Sequence, residues 1–236
     1  MVRLRFRDRA DAGRQLALEL RDLAKEHPLV LALPRGGVPV AVEVARALGA
    51  QLDVWVVRKI GVPWQPELGI GAIAEGGAVF ISRELIEPVG LTGLELATVT
   101  ESKRKELAER VRKFRGDHPR PAVQGRTVIL VDDGIATGGT VHAALLAIRE
   151  QAPKKVILAV PVAAPETLSE LGREVDRVVC LMTPTHLRAI GLWYEDFTQV
   201  LDTEVVRALE LARKETPVPV VERADGSGPT AGWRLR

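Results

Sequence analysis

Asparagine is absent from this 236-residue sequence, and cysteine occurs once, at Cys180. A lone cysteine excludes a disulfide within the chain, and its place in an apolar run predicts a buried core position. No apolar stretch approaches the ~18 residues of a membrane span. Residues Met1–Arg7 hold no apolar core of signal-peptide length. These absences predict a cytoplasmic protein with no membrane partner. The four histidines lack zinc-site spacing. No Walker A sequence and no Gly-x-Ser-x-Gly occur, which argues against a P-loop kinase and an α/β-hydrolase. Charge of one sign is also lacking: 33 Lys and Arg against 31 Asp and Glu leave a net charge of +2, so nucleic acid is not an expected partner. The missing asparagine, with plentiful Arg, Glu and Pro, would suit a thermophile. What is present is globular, at 46% hydrophobic and 27% charged residues. The length fits one α/β domain with a small appendage, and no internal repeat is visible.

Hydrophobic patterning predicts the order of elements. Asp8 caps a helix running to about Glu26, with Leu16, Leu20 and Leu23 on one face. Leu29–Leu33 is a strand, Val38–Leu48 a helix closed by Gly49, and Leu52–Val57 the next strand, together a right-handed βαβ unit. Residues 60–90 are rich in Gly and Pro, with short strands near Ile70–Ala74 and Ala78–Ile81. Thr92–Arg115 is a long charged helix whose face is solvated and laced with charge pairs, or else a basic contact surface. Strands follow at Val128–Val131, Val156–Val160 and Val175–Leu181, with helices after Thr140, over Pro165–Leu171 and over Glu204–Lys214. From Thr216 the sequence reads as a tail.

The run Val128-Ile129-Leu130-Val131-Asp132-Asp133-Gly134-Ile135-Ala136-Thr137-Gly138-Gly139-Thr140 carries the chemistry. Four apolar residues form a buried strand, two carboxylates sit at its C-terminal end, and a Thr-Gly-Gly-Thr turn opens a helix. Open α/β sheets bind ligands beyond the carboxyl ends of their strands. Glycines let backbone approach closely, and amides at a helix start suit a phosphate monoester. The acids, placed at a solvated strand end, suit vicinal hydroxyls or an Mg²⁺ shell. A diol acceptor beside a phosphate cradle describes a site for a ribose 5-phosphate.

This run resembles the 5-phosphoribosyl 1-pyrophosphate (PRPP) loop of type I phosphoribosyltransferases. The resemblance implies an open parallel sheet with helices on both faces, Asp132 and Asp133 on the ribose hydroxyls, and a phosphate cradle of Ala136, Thr137, Gly138, Gly139 and Thr140. It also implies Mg²⁺ as cofactor, with Asp132 and Asp133 touching it indirectly. Leu33-Pro34-Arg35-Gly36-Gly37 offers exposed amides and a guanidinium between strand and helix. It resembles the family's pyrophosphate loop, with Pro34 in place of a serine, and implies Arg35, Gly36 and Gly37 on pyrophosphate. Arg58-Lys59 resembles the Arg-Lys pair that opens a catalytic lid, most like the adenine-specific branch. The lid would carry Gly61, Pro63, Pro66 and Gly69. Arg35, Arg58 and Lys59 are thereby implied as catalytic. Gly69-Ile70-Gly71-Ala72-Ile73-Ala74 fits G-x-G-x-x-A formally, but no strand precedes it and Glu75-Gly76-Gly77 interrupts any helix, so it is no dinucleotide fingerprint.

The resemblance further implies a small hood over 183–215, hung on a core of 1–182 with an insert near 60–126. Trp193, Tyr194 and Phe197 are candidates for stacking the acceptor base, or else staple the last helix. Ala136 stands where 6-oxopurine enzymes of the family carry an acid, which disfavours hypoxanthine and guanine as acceptors and leaves Glu67 or Glu75 as candidate bases. His142 flanks the phosphate helix and His186 lies near the aromatic segment. The reading is a PRPP-dependent transferase of nucleotide salvage that releases pyrophosphate from PRPP and a nucleobase or other nitrogenous acceptor, in a chain that can form homo-oligomers. The alternative is a non-catalytic PRPP-binding regulator; a phosphatase or nucleotidase is a third.

Overall fold

A computed structural model describes residues 5–215, so the expected tail at 216–236 lies outside the described residues. Asp8 caps helix α1 (Arg9–Leu18), accepting from the Asp11 amide at 2.7 Å. The helix expected to reach Glu26 stops at Leu18, and a 3-10 segment over Arg21–Glu26 replaces its second half. Tighter winding keeps Leu16, Leu20 and Leu23 buried, and left-handed His27 turns the chain into strand β1 (Leu29–Ala32). Helix α2 (Gly37–Leu48) ends at Gly49, whose φ of 58° supplies a left-handed cap. Helix α1 crosses α2 at Gly13, where a Cβ would come 2.5 Å from the Val40 carbonyl oxygen.

Strand β2 (Gln51–Val54) pairs in parallel with β1. The strand expected over 52–57 is therefore two strands. The Trp55 amide still donates to the Ala32 carbonyl at 2.9 Å, but from Val57 the chain enters a second, antiparallel sheet. That sheet holds β3 (Val57–Val62), β4 (Gln65–Ala74) and β5 (Val79–Ile81). The G-x-G-x-x-A run lies inside β4, without a following helix. A short helix α3 (Arg83–Ile86) leads to α4 (Gly93–Arg115), which starts with a reciprocal capping box of Thr92 and Glu95.

The parallel sheet resumes with β6 (Thr127–Val131), helix α5 (Gly139–Arg149), β7 (Lys155–Val162), α6 (Pro165–Leu171) and β8 (Arg177–Met182). A 3-10 turn at Ile190–Trp193 and helix α7 (Asp202–Glu215) complete the described chain. The strand order is β2-β1-β6-β7-β8. Strand β1 is buried on both faces: Val30 and Ala32 join one core with α1, α2 and α7, and Leu29 and Leu31 join the other with α5 and α6. Cys180, expected in the core, is half-buried on the edge strand β8.

The stretch read as a lid is packed rather than loose. Ile60, Val62, Ile70 and Ile73 are fully buried in the same core as Leu107 and Phe114 of α4. Ala72, Ala74 and Phe80 face the opposite core, with α5. Helix α4 is thus not merely a solvated charged face. At its end the buried Arg115 bonds Asp53 at 3.3 Å, the Val54 carbonyl at 2.8 Å and both carboxylate oxygens of Glu75. That cluster rivets α4 to the seam between the two sheets.

Candidate functional site

Strands β1 and β6 are neighbours, with Ala32 opposite Val131. The loops that follow them therefore leave the same edge side by side. The Leu33 amide extends the pairing, donating to the Val131 carbonyl at 2.9 Å. The Pro34–Arg35 peptide is cis. A Cβ at Gly36 would overlap the Asp133 carboxylate, and one at Gly37 would lie 2.7 Å from the Val131 carbonyl oxygen and 2.9 Å from the Asp132 Cα. The expected pyrophosphate loop and the expected acid pair are in direct contact, and only glycine permits it.

The acids are less solvated than the sequence suggests. Asp133 is 8% exposed. Its Oδ2 accepts from Arg9 Nε at 2.7 Å and its carbonyl accepts from the Tyr194 hydroxyl at 2.6 Å. Its amide donates to Asp132 Oδ1 at 2.9 Å. Burial pushes both carboxyl groups above their usual range; for Asp132 the neighbouring Asp133 charge adds to this, and for Asp133 the Arg9 guanidinium opposes it. Beyond the acids, left-handed Gly138, at φ 75°, opens α5, with Ala136, Thr137 and Thr140 exposed around it. Thr167 of α6 braces this turn, its hydroxyl donating to the Ala136 carbonyl at 2.8 Å. A helix start leaves amides without intrahelical partners, which is the equipment of an anion cradle.

The expected cations occupy three places. Arg35 lies 3.6 Å from Asp202 at the start of α7, a carboxylate also approached by Arg110 at 3.3 Å and Lys113 at 2.7 Å. Those cations, Lys113 foremost, hold the Asp202 carboxyl below its usual range. Arg58 faces α4 and pairs with Glu106 at 2.7 Å. Successive residues of a strand point to opposite faces, so Lys59 does not share that side; it is exposed, and its stem covers Gly69 of β4 so closely that a Cβ there would overlap it.

The segment expected as a hood packs against the start of the described chain. The Phe6 amide donates to the Trp193 carbonyl at 2.9 Å, and the Glu195 amide to the Phe6 carbonyl at 2.8 Å. Tyr194, expected as a stacking face, is 3% exposed, its ring centroid 5.4 Å from Phe6 and 5.0 Å from Phe197. Burial, and then the Asp133 charge, push its hydroxyl pKa up, so it stays a donor. Trp193 and Phe197 are half-buried. Glu75, a candidate base, is buried with both carboxylate oxygens on Arg115; the Glu67 side chain lies outside what is described. His142 stacks on Phe80 at 4.6 Å, with Nδ1 2.8 Å from Glu174, and His186 is exposed. Arg9 and Asp202 escaped the sequence reading, because their partners stand far away along the chain and no local motif marks them.

Among the described residues no group of three or more His, Cys, Asp or Glu side chains is placed to hold a metal ion. Among the same residues no helix is long and apolar enough to cross a membrane.

Comparison with known proteins agrees with this arrangement. A crystal structure of TT1426 from Thermus thermophilus superposes with a TM-score of 0.75 at 43% identity, over 87% of this chain and 97% of that one. A Mycobacterium tuberculosis H37Rv protein provisionally named a phosphoribosyl transferase, Rv0571c, is 45% identical over 210 residues, which is 89% of this chain and 47% of the relative. Its counterpart in strain CDC 1551, MT0597, gives the same figures. The chain thus spans about half the length of these curated relatives. The phosphoribosyl transferase domain family model matches residues 5–191. With that match over most of its length, and the twin-loop sheet edge to go with it, the chain belongs to the phosphoribosyl transferase domain family.

Proposed function

We propose that the chain transfers a 5-phosphoribosyl group from PRPP to a nitrogenous base and releases pyrophosphate. One observation carries this reading: the Arg35–Gly37 loop and the Asp132–Asp133 pair touch at one sheet edge, with the Gly138–Thr140 helix start beside them. This supports reading the loop as an anion site, the acids as diol acceptors and the helix start as a phosphate cradle, the three features that a ribose carrying phosphate and pyrophosphate would need. Asp132 and Asp133 would accept from the ribose hydroxyls, Ala136 to Thr140 would cradle the 5-phosphate, and Arg35, Gly36 and Gly37 would hold pyrophosphate. The protein's contribution to catalysis is then positional and electrostatic.

Two adjacent carboxylates fit Mg²⁺ that arrives on the substrate phosphates, since Mg²⁺ commonly keeps waters and takes one or two carboxylates. Such an ion neutralises the charge of departing pyrophosphate. Arg58, paired with Glu106, and Lys59 are the further cations proposed for that charge. The half-buried Trp193 is the better-placed candidate for the acceptor ring, since Tyr194 has no open face. Ala136 favours acceptors outside the 6-oxopurines. Nucleotide salvage, a cytoplasmic setting and homo-oligomers complete the proposal.

The test is a panel of nucleobases incubated with PRPP and Mg²⁺ and scored for pyrophosphate release. Release with at least one base is expected. Tight PRPP binding with no release for any base would replace the enzyme by a PRPP-binding regulator. Lys59→Ala should lower turnover at saturating PRPP more than it weakens PRPP binding, because charge on pyrophosphate is greatest as it leaves. Equal loss in both, measured by single-turnover kinetics and titration, would take Lys59 out of the chemistry.

A further inference from the structure

Arg9 ties the sugar end of the site to the hood. Its Nε donates to Asp133 Oδ2 at 2.7 Å, its Nη1 donates to the Thr198 carbonyl at 2.9 Å, and its guanidinium carbon lies 3.8 Å from the Phe197 ring centroid. The Arg9 and Asp133 side chains are 11% and 12% exposed. Tyr194, next to the same ring, fixes the Asp133 carbonyl. Two neighbouring carboxylates in a desolvated pocket repel each other and are costly to keep charged, and a guanidinium on one of them offsets that cost. A planar fork can satisfy a carboxylate, a carbonyl and an aromatic face at once; an ammonium cannot.

We propose that Arg9 is a positioning residue for the donor. By taking Oδ2 of Asp133 it sets Oδ1 toward the ribose hydroxyl, and through Thr198 and Phe197 it fixes the hood relative to the bound sugar. This rests on the reading of Asp132 and Asp133 as the diol acceptors. Inorganic pyrophosphate without Mg²⁺ serves as a control ligand, because with no metal to bridge it to the carboxylates it would engage the Arg35–Gly37 loop alone.

The experiment is calorimetric titration of the full chain with PRPP and Mg²⁺ and, separately, with pyrophosphate in the absence of Mg²⁺, for wild type, Arg9→Ala, Arg9→Gln and Arg9→Lys. Losing a charged hydrogen bond should weaken PRPP binding about tenfold or more in Arg9→Ala, with pyrophosphate binding changed less than about twofold. Arg9→Lys should recover part of the PRPP affinity. In turnover, KM for PRPP should rise more than kcat falls. Should Arg9→Ala fail to fold, Arg9→Gln carries the same expectation. Parallel loss of both ligands together with melting temperature would reduce Arg9 to a structural brace and overturn the proposal. Wild type binding PRPP, with the Arg9 variants binding it equally, would overturn the role of Arg9 alone. Wild type binding no PRPP would overturn the reading of the site itself.

Discussion

At the scale of single residues, several ion pairs among the described residues join groups far apart along the chain. Glu26 is an example: it accepts from Thr127 Oγ1 at 2.6 Å and from Lys155 Nζ at 2.9 Å, joining the end of the 3-10 segment to β6 and β7. The Thr127 hydroxyl first, and then Lys155, lower its pKa from 4.5 to about 2. A carboxylate with a depressed folded pKa stabilises fully above its unfolded value and loses that contribution as pH falls through the folded one. Glu26→Gln should therefore flatten the acid limb of stability between about 4.5 and about 2. Melting temperature followed across that window checks it, and parallel curves for both proteins would refute it. That Asp132, Asp133, Arg35 and Gly36 follow strand ends was legible in the sequence, because each sits in a local strand-turn-helix pattern. Arg9 was not, since 124 residues separate it from Asp133. The sequence left Tyr194 open between stacking face and core, because an aromatic cluster looks the same whether it fills a core or waits for a ring; it is buried.

At the scale of elements, local signals placed the boundaries well where the chain itself stops an element. Gly49, Thr92 and Pro165 each end or start a helix as expected. The division at Val54 could not be read, because Leu52–Val57 is apolar apart from Asp53 and only the partner strands decide that it serves two sheets. The same holds for the packed hairpin of β3 and β4, whose Gly and Pro content suggests a loop. The loop after β1 makes the sharpest test at this scale. Gly36→Ala would push a methyl group into the Asp133 carboxylate, which Arg9 holds from the other side. Overpacking of this kind costs about 1–3 kcal/mol. Lower melting temperature and weaker PRPP binding are expected together; a variant that matches wild type in both would mean the loops are free to separate.

At the scale of the whole molecule, the insert and the parallel sheet share their cores. Ile60, Ile70 and Leu107 belong to the same apolar cluster as Val30, Val44 and Leu209. Trp55, at the seam, packs in the other cluster with Leu31 and Leu145. Urea unfolding followed by tryptophan fluorescence and by far-ultraviolet ellipticity should therefore give one superimposable transition. An earlier fluorescence step would show that the antiparallel sheet and α4 melt on their own. The pairing of Ala32 with Val131 has a broader consequence. Neighbouring strands stand about 4.8 Å apart, and the two loops start from that fixed gauge. On the proposed reading the site works as a ruler cut into the backbone: the span between the Arg35–Gly37 loop and the acids is fixed by interstrand hydrogen bonds rather than by any side chain. The hood carries no such constraint, because it is built from segments outside the sheet. On that reading, the acceptor can be exchanged by recutting only the part of residues 190–198 that leaves alone the Tyr194 bond to Asp133 and the Thr198 and Phe197 contacts of Arg9, which narrows the exchangeable surface to the face around Trp193.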